Sequence, residues 1–259
     1  GGVLRAANPA TPLDARNSMQ LPTWITTTIS ERLGWRPERA TAVGGGCINE
    51  AFSVTGGGER IFVKRHPSAP NGFFEAEADG LETLREHTSL VVPEPLFVAR
   101  SPAGDDAILA LGYLSFEARV TSASARQLGE GLAELHRTTM PEHGHRRSNY
   151  IGSLPQPNPP TSSWIAFYRD ARLGAQLELG AQRGTMPAQL IGLVERLMER
   201  LDSVLEDAPP SLLHGDLWGG NWAATAAGPA IFDPAVYAGS REMDLAMTEL
   251  FGGFPSAFY

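Results

Sequence analysis

The sequence predicts an α+β protein with two lobes, a small antiparallel sheet with one long helix followed by a mostly helical lobe. Before about residue 115, short runs of β-branched and aromatic residues alternate with glycine-rich turns, which is typical of a hairpin sheet. After that point leucines recur every three or four residues, the spacing of helices with one buried face. We therefore expect a first lobe over 19–111, a connector over 112–115 and a second lobe over 116–259.

Composition and charge exclude several classes of protein. The chain has 259 residues and a formal net charge of -8, and no apolar run reaches the roughly 20 residues that span a bilayer. We expect neither nucleic-acid nor membrane binding, because an acidic protein is not attracted to anionic surfaces. The single cysteine excludes an internal disulfide and is typical of a cytoplasmic protein. Residues 1–18 show no apolar periodicity before Met19, so we interpret them as the remnant of an expression tag.

The first lobe is expected to open with a helix and continue as a sheet. The helix is predicted from Trp24 to Leu33 and ends at Gly34. Glycine-rich turns separate three segments that we expect to pair as antiparallel strands, 41–43, 51–54 and 60–64. Two further strands are expected at 96–99 and 107–111.

A long helix is predicted over 73–87, and its polarity pattern singles out one acidic residue. Four acids recur at steps of four, three and four and predict a solvated face: Glu75, Asp79, Glu82 and Glu86. Glu77 lies instead on the buried stripe that Leu81 marks. An ionised carboxylate is rarely buried without a partner, so we expect Glu77 to pair with a cation. Lys64, on the third strand, is the nearest candidate.

Helices dominate the second lobe. Three stripes of apolar residues at helical spacing predict them: Leu128, Leu132 and Leu135; Trp164, Phe167 and Ala171; Leu190, Val194, Leu197 and Leu201. Prolines and asparagines near 149–160 predict a loop between the first two stripes.

The strongest chemical signal is the octapeptide HGDLWGGN, which runs from His214 to Asn221. It follows a strand-like segment and matches the H-x-D-x-x-x-x-N pattern of kinase catalytic loops. In that pattern the aspartate, here Asp216, accepts the proton of the attacking hydroxyl, and the asparagine holds Mg²⁺. The alternative is a polar turn in which Asp216 caps a helix and Asn221 adopts a left-handed conformation.

A second carboxylate, Asp233, ends the apolar segment that begins at Ala230. Mg²⁺ prefers oxygen ligands, usually one or two carboxylates with substrate phosphates, so Asp233 and Asn221 make a sensible pair of ligands. We expect a strand, a loop and a second strand to form a hairpin that carries both. The alternative is that Asp233 only begins an Asp-Pro turn.

The turn between the first two strands is a candidate phosphate-binding site. It comprises Gly44, Gly45, Gly46, Cys47, Ile48 and Asn49. Glycines allow backbone N–H groups to approach phosphate oxygens closely. The turn departs from both G-x-G-x-x-G and the Walker pattern, and an ordinary hairpin turn is the alternative. Lys64 and Glu77 supply the context, an ammonium group that contacts phosphates and is positioned by a carboxylate.

Five segments together resemble the fructosamine (ketosamine) kinase family: GGGCINEAF, FVKRH, FFEAEADGL, LLHGDLWGGNW and DPAVYAGSREMDLAMTELFGGF. The resemblance covers nearly everything from about Trp24 onward and implies the two-lobed protein-kinase-like fold, which aminoglycoside and choline kinases share. It also implies ATP and Mg²⁺ as cofactors and a small-molecule ketoamine or glycated amine as substrate. The expected reaction is phosphorylation of a sugar hydroxyl, which initiates deglycation.

The resemblance implies a role for each matched residue. Lys64 and Glu77 are the expected phosphate-binding pair, Asp216 the base, and Asn221 and Asp233 the metal ligands. Gly112 and Leu114 would offer backbone hydrogen bonds to adenine. We expect Trp218 and His214, which flank the base in sequence, to contact the substrate. The alternative for Trp218 is that it packs under the loop.

Several features depart from the protein-kinase pattern. Gly215 stands where protein kinases have an arginine, and the short segment from Asp233 to Asp244 leaves no room for a regulated activation loop. Arg241 and Asp244 could orient the catalytic loop, although we expect a salt bridge at a helix start. Members of the family continue for a few more helices, so a truncated C terminus is expected. The alternatives are a kinase for aminoglycosides or choline-like amines and a nucleotide-binding pseudokinase.

Cys47 is the only thiol and lies in the proposed phosphate-binding turn. A small free cysteine is often an inert packing residue, whereas a glycine-rich, exposed turn favours a reactive thiolate. We therefore treat Cys47 as a candidate redox site, so that the protein is expected to be a monomer or a homodimer linked through Cys47.

Overall fold

The computed structural model describes residues 19–44 and 49–259. Helix α1 (Thr23–Leu33) ends at Gly34, whose φ of 77° is the left-handed conformation that glycine adopts without strain. Both the helix and its terminating glycine agree with the sequence prediction. The predictions for residues 1–18 and for Gly45, Gly46, Cys47 and Ile48 lie outside the described residues.

A five-stranded antiparallel sheet follows, in the order β1-β2-β3-β5-β4. Its strands are β1 (Arg39–Ala42), β2 (Glu50–Gly56), β3 (Glu59–His66), β4 (Pro95–Arg100) and β5 (Ala107–Gly112). All five predicted strands are present. The β2–β3 turn contains Gly57 and Gly58 at φ 59° and 84°, so this second glycine run is the ordinary hairpin turn.

Helix α2 (Phe73–His87) packs on the opposite face of the sheet from α1. Alternation along β3 separates the two faces, because Ile61 and Val63 join the core under α1 whereas Phe62 packs against the core that includes α2. The predicted bounds of α2 are confirmed. The expectation that its acidic face is fully solvated is wrong at Asp79, whose side chain is only 14% exposed because it contacts the following lobe.

The second lobe begins with α3 (Ser122–Leu135), which buries the predicted stripe of leucines. The expected loop at 149–160 instead contains a small antiparallel hairpin, β6 (Asn149–Ile151) and β7 (Leu154–Gln156). The side-chain amides of Asn149 and Gln156 donate to the Val236 and Ala235 carbonyl oxygens and so fix the hairpin to the segment after Asp233. Helix α4 (Trp164–Phe167) continues through a π-helical segment (Tyr168–Gly174) into α5 (Ala175–Gln182). Helix α6 (Ala188–Met198) is present at the third stripe but leaves Leu190 and Leu197 exposed, and a 3₁₀ turn (Leu201–Ser203) follows.

Two small strand pairs then carry the predicted chemistry. Strand β8 (Ser211–Leu213) pairs with β11 (Tyr237–Gly239), and between them β9 (Trp222–Thr225) pairs with β10 (Gly228–Ile231). Helix α7 (Glu242–Leu250) follows. The predicted hairpin is therefore corrected, because the strand before the HGDLWGGN loop pairs with β11 and not with β10. Asn221 and Asp233 flank the base of the β9–β10 hairpin. No helix of the described residues has the length and apolar character needed to cross a bilayer.

Candidate active site

Lys64 lies where the two lobes meet, a junction that we call the cleft, since it contacts Glu77 of the first lobe and Asp233 of the second. Strand β3 carries it, and its Nζ lies 2.5 Å from Glu77 Oε1 and 2.9 Å from Asp233 Oδ1. The side chains of Lys64 and Glu77 are 8% and 12% exposed, whereas Asp233 is 44% exposed. Glu77 thus faces inward from α2, and its predicted pairing with Lys64 is present in the structure.

Burial and charge act in opposite directions on Lys64. Burial alone would lower the pKa of its ammonium group, but the carboxylates of Asp233 and Glu77 outweigh that effect and raise the pKa. Lys64 is therefore a fixed positive charge at neutral pH. A buried cation of this kind suits an anionic ligand such as a phosphate chain.

Asp216 and Asn221 lie together at the end of the loop after β8. The Asn221 Nδ2 group donates to the Asp216 carbonyl oxygen at 2.8 Å and to Asp216 Oδ2 at 3.2 Å. Burial raises the pKa of Asp216 to about 7; the Asn221 bond opposes this shift, and the negative charges of Asp233 and Asp244 add to it. A carboxylate that titrates near neutrality is well matched to general-base catalysis.

The backbone at Asp233 has an unusual conformation. Its φ of 58° makes it the only non-glycine residue with positive φ in residues 19–44 and 49–259. Its carbonyl oxygen accepts a 3.3 Å hydrogen bond from Asn221 Nδ2, so one asparagine amide contacts both the Asp216 and the Asp233 segments. Such local strain persists where surrounding contacts hold it, and it is common at functional sites.

His214 does not face a substrate. The residue is fully buried, its Nε2 donates to the Phe232 carbonyl oxygen at 3.1 Å, and its Nδ1 accepts from the Asp216 N–H at 3.3 Å. Burial lowers the pKa of the His214 imidazole, which matches this neutral donor-and-acceptor arrangement. The expectation that His214 contacts substrate is therefore corrected, and its contacts hold the backbone at Asp216 and Phe232 instead.

Asp244 anchors the catalytic loop from helix α7. Its carboxylate accepts hydrogen bonds from the backbone N–H groups of His214 and Gly215, each at 2.9 Å, and lies 2.9 Å from His136 Nε2. Burial would raise the pKa of Asp244, but the His136 hydrogen bond and these further contacts hold it below its usual value. The expected helix-start salt bridge is wrong for Asp244; Arg241 approaches Glu242 at the surface instead.

Glycine at position 215 has a local physical cause. Gly215 has a φ of 82°, and a Cβ there would collide with the Ala235 carbonyl oxygen. A residue with a side chain, such as the arginine of the protein-kinase pattern, does not fit this backbone. The catalytic loop can therefore pack directly against the segment that follows Asp233.

The connector between the lobes lies beside the same cleft. The Gly112 N–H group donates to the Glu94 carbonyl oxygen at 2.8 Å, so only the Gly112 carbonyl could bind adenine; we correct the expectation in that respect. Within the described residues, Leu114 N–H makes no loop or turn hydrogen bond. Phe116, the residue directly after the connector, stacks on Phe232, with ring centroids 5.2 Å apart, and so brings the end of the connector close to the residue before Asp233.

Trp218 lies at the surface close to Asp216. Its side chain is 41% exposed and packs edge-on against Phe251, which is 64% exposed. The indole also lies over Gly220, where a Cβ would collide with it. Trp218 therefore packs on the loop, which was the alternative that the sequence allowed, and it still presents an exposed edge.

The glycine-rich turn is described only at its two ends. Gly44 is exposed, and Asn49 immediately precedes β2. The Oδ1 atom of Asn49 is buried and has no hydrogen-bond partner among the residues that the structure describes. Strand β2 places Ala51 opposite Lys64, so the turn begins close to the Lys64 end of β3.

The oxygen atoms in the cleft suit a hard cation whose coordination shell is completed by oxygen atoms of a bound ligand. In the described part of the chain, no group of three or more His, Cys, Asp or Glu side chains is arranged to hold a metal ion. Mg²⁺ usually needs only one or two protein carboxylates when phosphate oxygens complete its coordination. Asn221 and Asp233 fit that kind of site.

Comparison with known proteins identifies the family. The family model described as fructosamine kinase matches residues 22–259. The chain belongs to the fructosamine kinase family. A protein named probable ketoamine kinase from Synechocystis sp. is 39% identical over 240 residues, which cover 91% of this chain and 79% of that protein. Members of this family are phosphotransferases, and this chain is one of them.

Solved structures agree with this assignment. The crystal structure of a protein named "Putative fructosamine-3-kinase" from Haemophilus somnus superposes with a TM-score of 0.80 at 28% identity, covering 91% of this chain and 79% of that one. An aminoglycoside phosphotransferase superposes with a TM-score of 0.61 at 14% identity, covering 86% and 75%. The second likeness shows the fold alone, and the fold is the two-lobed kinase-like fold that the sequence predicts.

Sequence reasoning missed some residues that build the site. His136 lies four residues after Leu132, so helical spacing already placed it on the buried face of α3. Asp244 was not missed, because the sequence allowed it to orient the catalytic loop, but a salt bridge at the helix start was expected instead of its hydrogen bonds to the loop backbone. Nothing local in the sequence indicated that Phe116 and Phe232 stack.

Asp244→Asn tests the anchoring of the catalytic loop. We predict that it lowers turnover about tenfold or more, because the amide would turn an NH₂ group against a backbone N–H and displace Asp216. Turnover and melting temperature should be measured beside Glu242→Gln, an exposed change on the same helix that should leave both unaltered. Wild-type turnover in Asp244→Asn would show that the loop keeps its geometry without this carboxylate.

Proposed function

We propose that this protein transfers the γ-phosphoryl group of ATP to a sugar hydroxyl of a ketoamine, a product of amine glycation. The observation that carries the proposal is the convergence, in one cleft, of a buried lysine paired to a helix carboxylate with a catalytic-loop aspartate and two oxygen ligands. These are the parts that phosphoryl transfer needs, since positioning and electrostatic stabilisation supply most of its catalysis.

Lys64 and the connector would bind the nucleotide. The Lys64 ammonium group would contact the phosphates while Glu77 holds its position. The Gly112 carbonyl oxygen and the Leu114 N–H group would hydrogen-bond the adenine edge. The stacked pair Phe116 and Phe232 offers an apolar surface beside that edge.

Asn221 and Asp233 would hold Mg²⁺ together with phosphate oxygens. When bound, the ion neutralises charge that develops on the transferring phosphoryl group. Lys64 Nζ already contacts Asp233 Oδ1, so the lysine and the metal ligand are held at one point of the cleft. Asn221 fixes the backbone on both sides of that point through its side-chain amide.

Asp216 would act as the general base. Its carboxylate would accept the proton of the acceptor hydroxyl while the hydroxyl oxygen forms a bond to the γ-phosphorus and the bond to the β,γ-bridging oxygen breaks. The raised pKa of Asp216 makes it a more effective proton acceptor than an ordinary carboxylate. Asp244, His136 and the loop backbone would keep it in place.

The acceptor would lie against Trp218. The exposed edge of Trp218, with Phe251 beside it, forms an aromatic surface next to the base, and aromatic faces pack well against sugar rings. The relatives named ketoamine kinase support a ketoamine as the acceptor. Initiation of deglycation and a cytoplasmic location are part of the same proposal.

A panel of acceptors tests the proposed function. ATP consumption should be followed with ketoamines, the parent amines without the sugar, and aminoglycosides, and the phosphorylated product should be identified by mass spectrometry. We expect activity with ketoamines and none with the parent amines. The structural neighbour that was solved with AMP-PNP and hygromycin B makes aminoglycosides the informative competitor. Activity restricted to aminoglycosides or free amines would overturn the ketoamine proposal.

Asp216→Asn tests the base. We predict a loss of about 10²-fold or more in turnover with nearly unchanged ATP binding, because the amide cannot accept the proton but keeps the shape of the loop. Glu130→Gln on α3, away from the cleft, is a matched change of charge that should preserve turnover. Unchanged turnover in Asp216→Asn would exclude it as the base.

A further inference from the structure

Helix α2, which carries Glu77, packs closely on the segment that follows Asp233. A Cβ built at Gly80 would lie 3.2 Å from Val236 Cγ2 and 3.4 Å from Pro234 Cγ, so the glycine lets the helix approach the C-terminal lobe. Glu77 is less than one helical turn away on the same helix. The position of Glu77 therefore depends on how firmly α2 is held against this lobe.

A short segment of the C-terminal lobe, His145 to Arg147, contacts α2 through side chains. His145 Nε2 lies 2.8 Å from Asp79 Oδ2, and Arg146 contacts Asp79 Oδ1 through Nε at 2.8 Å and Nη2 at 2.6 Å. Arg147 Nη1 donates to the Glu75 carbonyl oxygen at 2.8 Å. We call these three residues the α2 clamp. They contact the helix on either side of Glu77.

The charges in this contact are complementary. His145 is 7% exposed at its side chain and Asp79 is 14% exposed, whereas Arg146 is 60% exposed. Burial would raise the pKa of Asp79, but hydrogen bonds from Arg146 and His145 outweigh it and hold the pKa below its usual value. Asp79 is thus a mostly buried carboxylate whose side-chain partners both come from the opposite lobe. An amide in its place keeps only one acceptor oxygen, so one of the two partners would be left without an acceptor.

Hydrogen bonds also connect the clamp to the segment that follows Asp233. Asn158 Nδ2 donates to the Arg147 carbonyl oxygen at 3.1 Å and to Asn149 Oδ1 at 3.0 Å. Asn149 Nδ2 donates to the Val236 carbonyl oxygen at 2.8 Å. A buried chain of amides therefore connects the clamp to residues just after Asp233. Satisfied buried networks of this kind are rigid.

We propose that Asp79 is a positioning residue. Its contacts with the α2 clamp hold helix α2 against the C-terminal lobe, an arrangement that we call the lock. Glu77, on the same helix, is thereby held in place to orient the Lys64 ammonium group for nucleotide binding. The lock acts across the two lobes, since Asp79 and Glu77 belong to one lobe and the clamp and Asp233 to the other. Phosphoryl transfer then needs no swing of α2. The proposal rests on phosphotransferase activity but not on the identity of the acceptor.

A double-mutant cycle separates positioning from general stability. Turnover and the KM for ATP should be measured for Asp79→Asn, Glu77→Gln and the double variant, with whichever acceptor the wild type phosphorylates. We expect Asp79→Asn to lower turnover about tenfold. In the Glu77→Gln background the same change should have almost no further effect, because no carboxylate remains for the helix to aim. Glu82→Gln is the matched control on the same helix, since Glu82 is exposed and makes no hydrogen bond or ion pair with the described residues.

Hydrogen exchange tests the lock without any substrate. Backbone amides of the peptide covering 73–87 should exchange faster in Asp79→Asn than in the wild type, and at the wild-type rate in Glu82→Gln. If Asp79→Asn does not fold, Arg146→Ala removes one exposed partner and should shift both readouts in the same direction by less. Wild-type turnover and exchange in Asp79→Asn would overturn the proposal, and so would equal losses of turnover with and without Glu77. If the wild type phosphorylates no acceptor, the ketoamine proposal fails. The exchange rates still show whether Asp79 holds helix α2 against the C-terminal lobe.

Discussion

Lys64 is an ammonium group buried in a cleft and shared between two carboxylates from different parts of the fold. Removing one charge from water costs several kcal/mol unless partners compensate, and Glu77 and Asp233 supply that compensation. Each partner fixes a larger element, because Glu77 brings α2 to the sheet and Asp233 brings the base of the β9–β10 hairpin. These two ion pairs therefore set the geometry of the cleft.

The catalytic loop is held by side chains that hydrogen-bond to backbone atoms. Asp244 accepts two consecutive loop N–H groups, and His214 bonds at both ring nitrogens to backbone atoms. Gly215 allows the loop to lie directly against the strand segment after Asp233. As a result Asp216 remains the half-buried acid of the loop with a raised pKa, while its supports are buried and fully bonded. This division suits a site in which one group reacts and the others position it.

The sequence pattern was sufficient to predict those elements that have a regular spacing of apolar residues or a glycine-rich turn. The 3.6-residue period of α2 gave its bounds and placed Glu77 on the inner face, and glycine turns separated β1, β2 and β3. Pairings between distant segments were not predictable in this way. The β8–β11 pairing and the contact of Asp79 with His145 depend on how the lobes pack, and no local period encodes that. His214 belongs to the same class, since its motif marks the loop but not the side chain's burial.

The most direct test of this account is to measure the free energy of unfolding and the turnover of one variant, Glu77→Leu. Removing one partner of a buried ion pair is usually costly, but Lys64 would keep Asp233 as its counter-ion. We therefore predict a loss of unfolding free energy that is smaller than the roughly 3–5 kcal/mol that an unpaired buried charge costs. We predict a fall in turnover of about tenfold or more, because Lys64 is no longer aimed at the phosphates. A large loss of stability with full turnover would contradict the account, since the pair would then hold the fold together without taking part in catalysis.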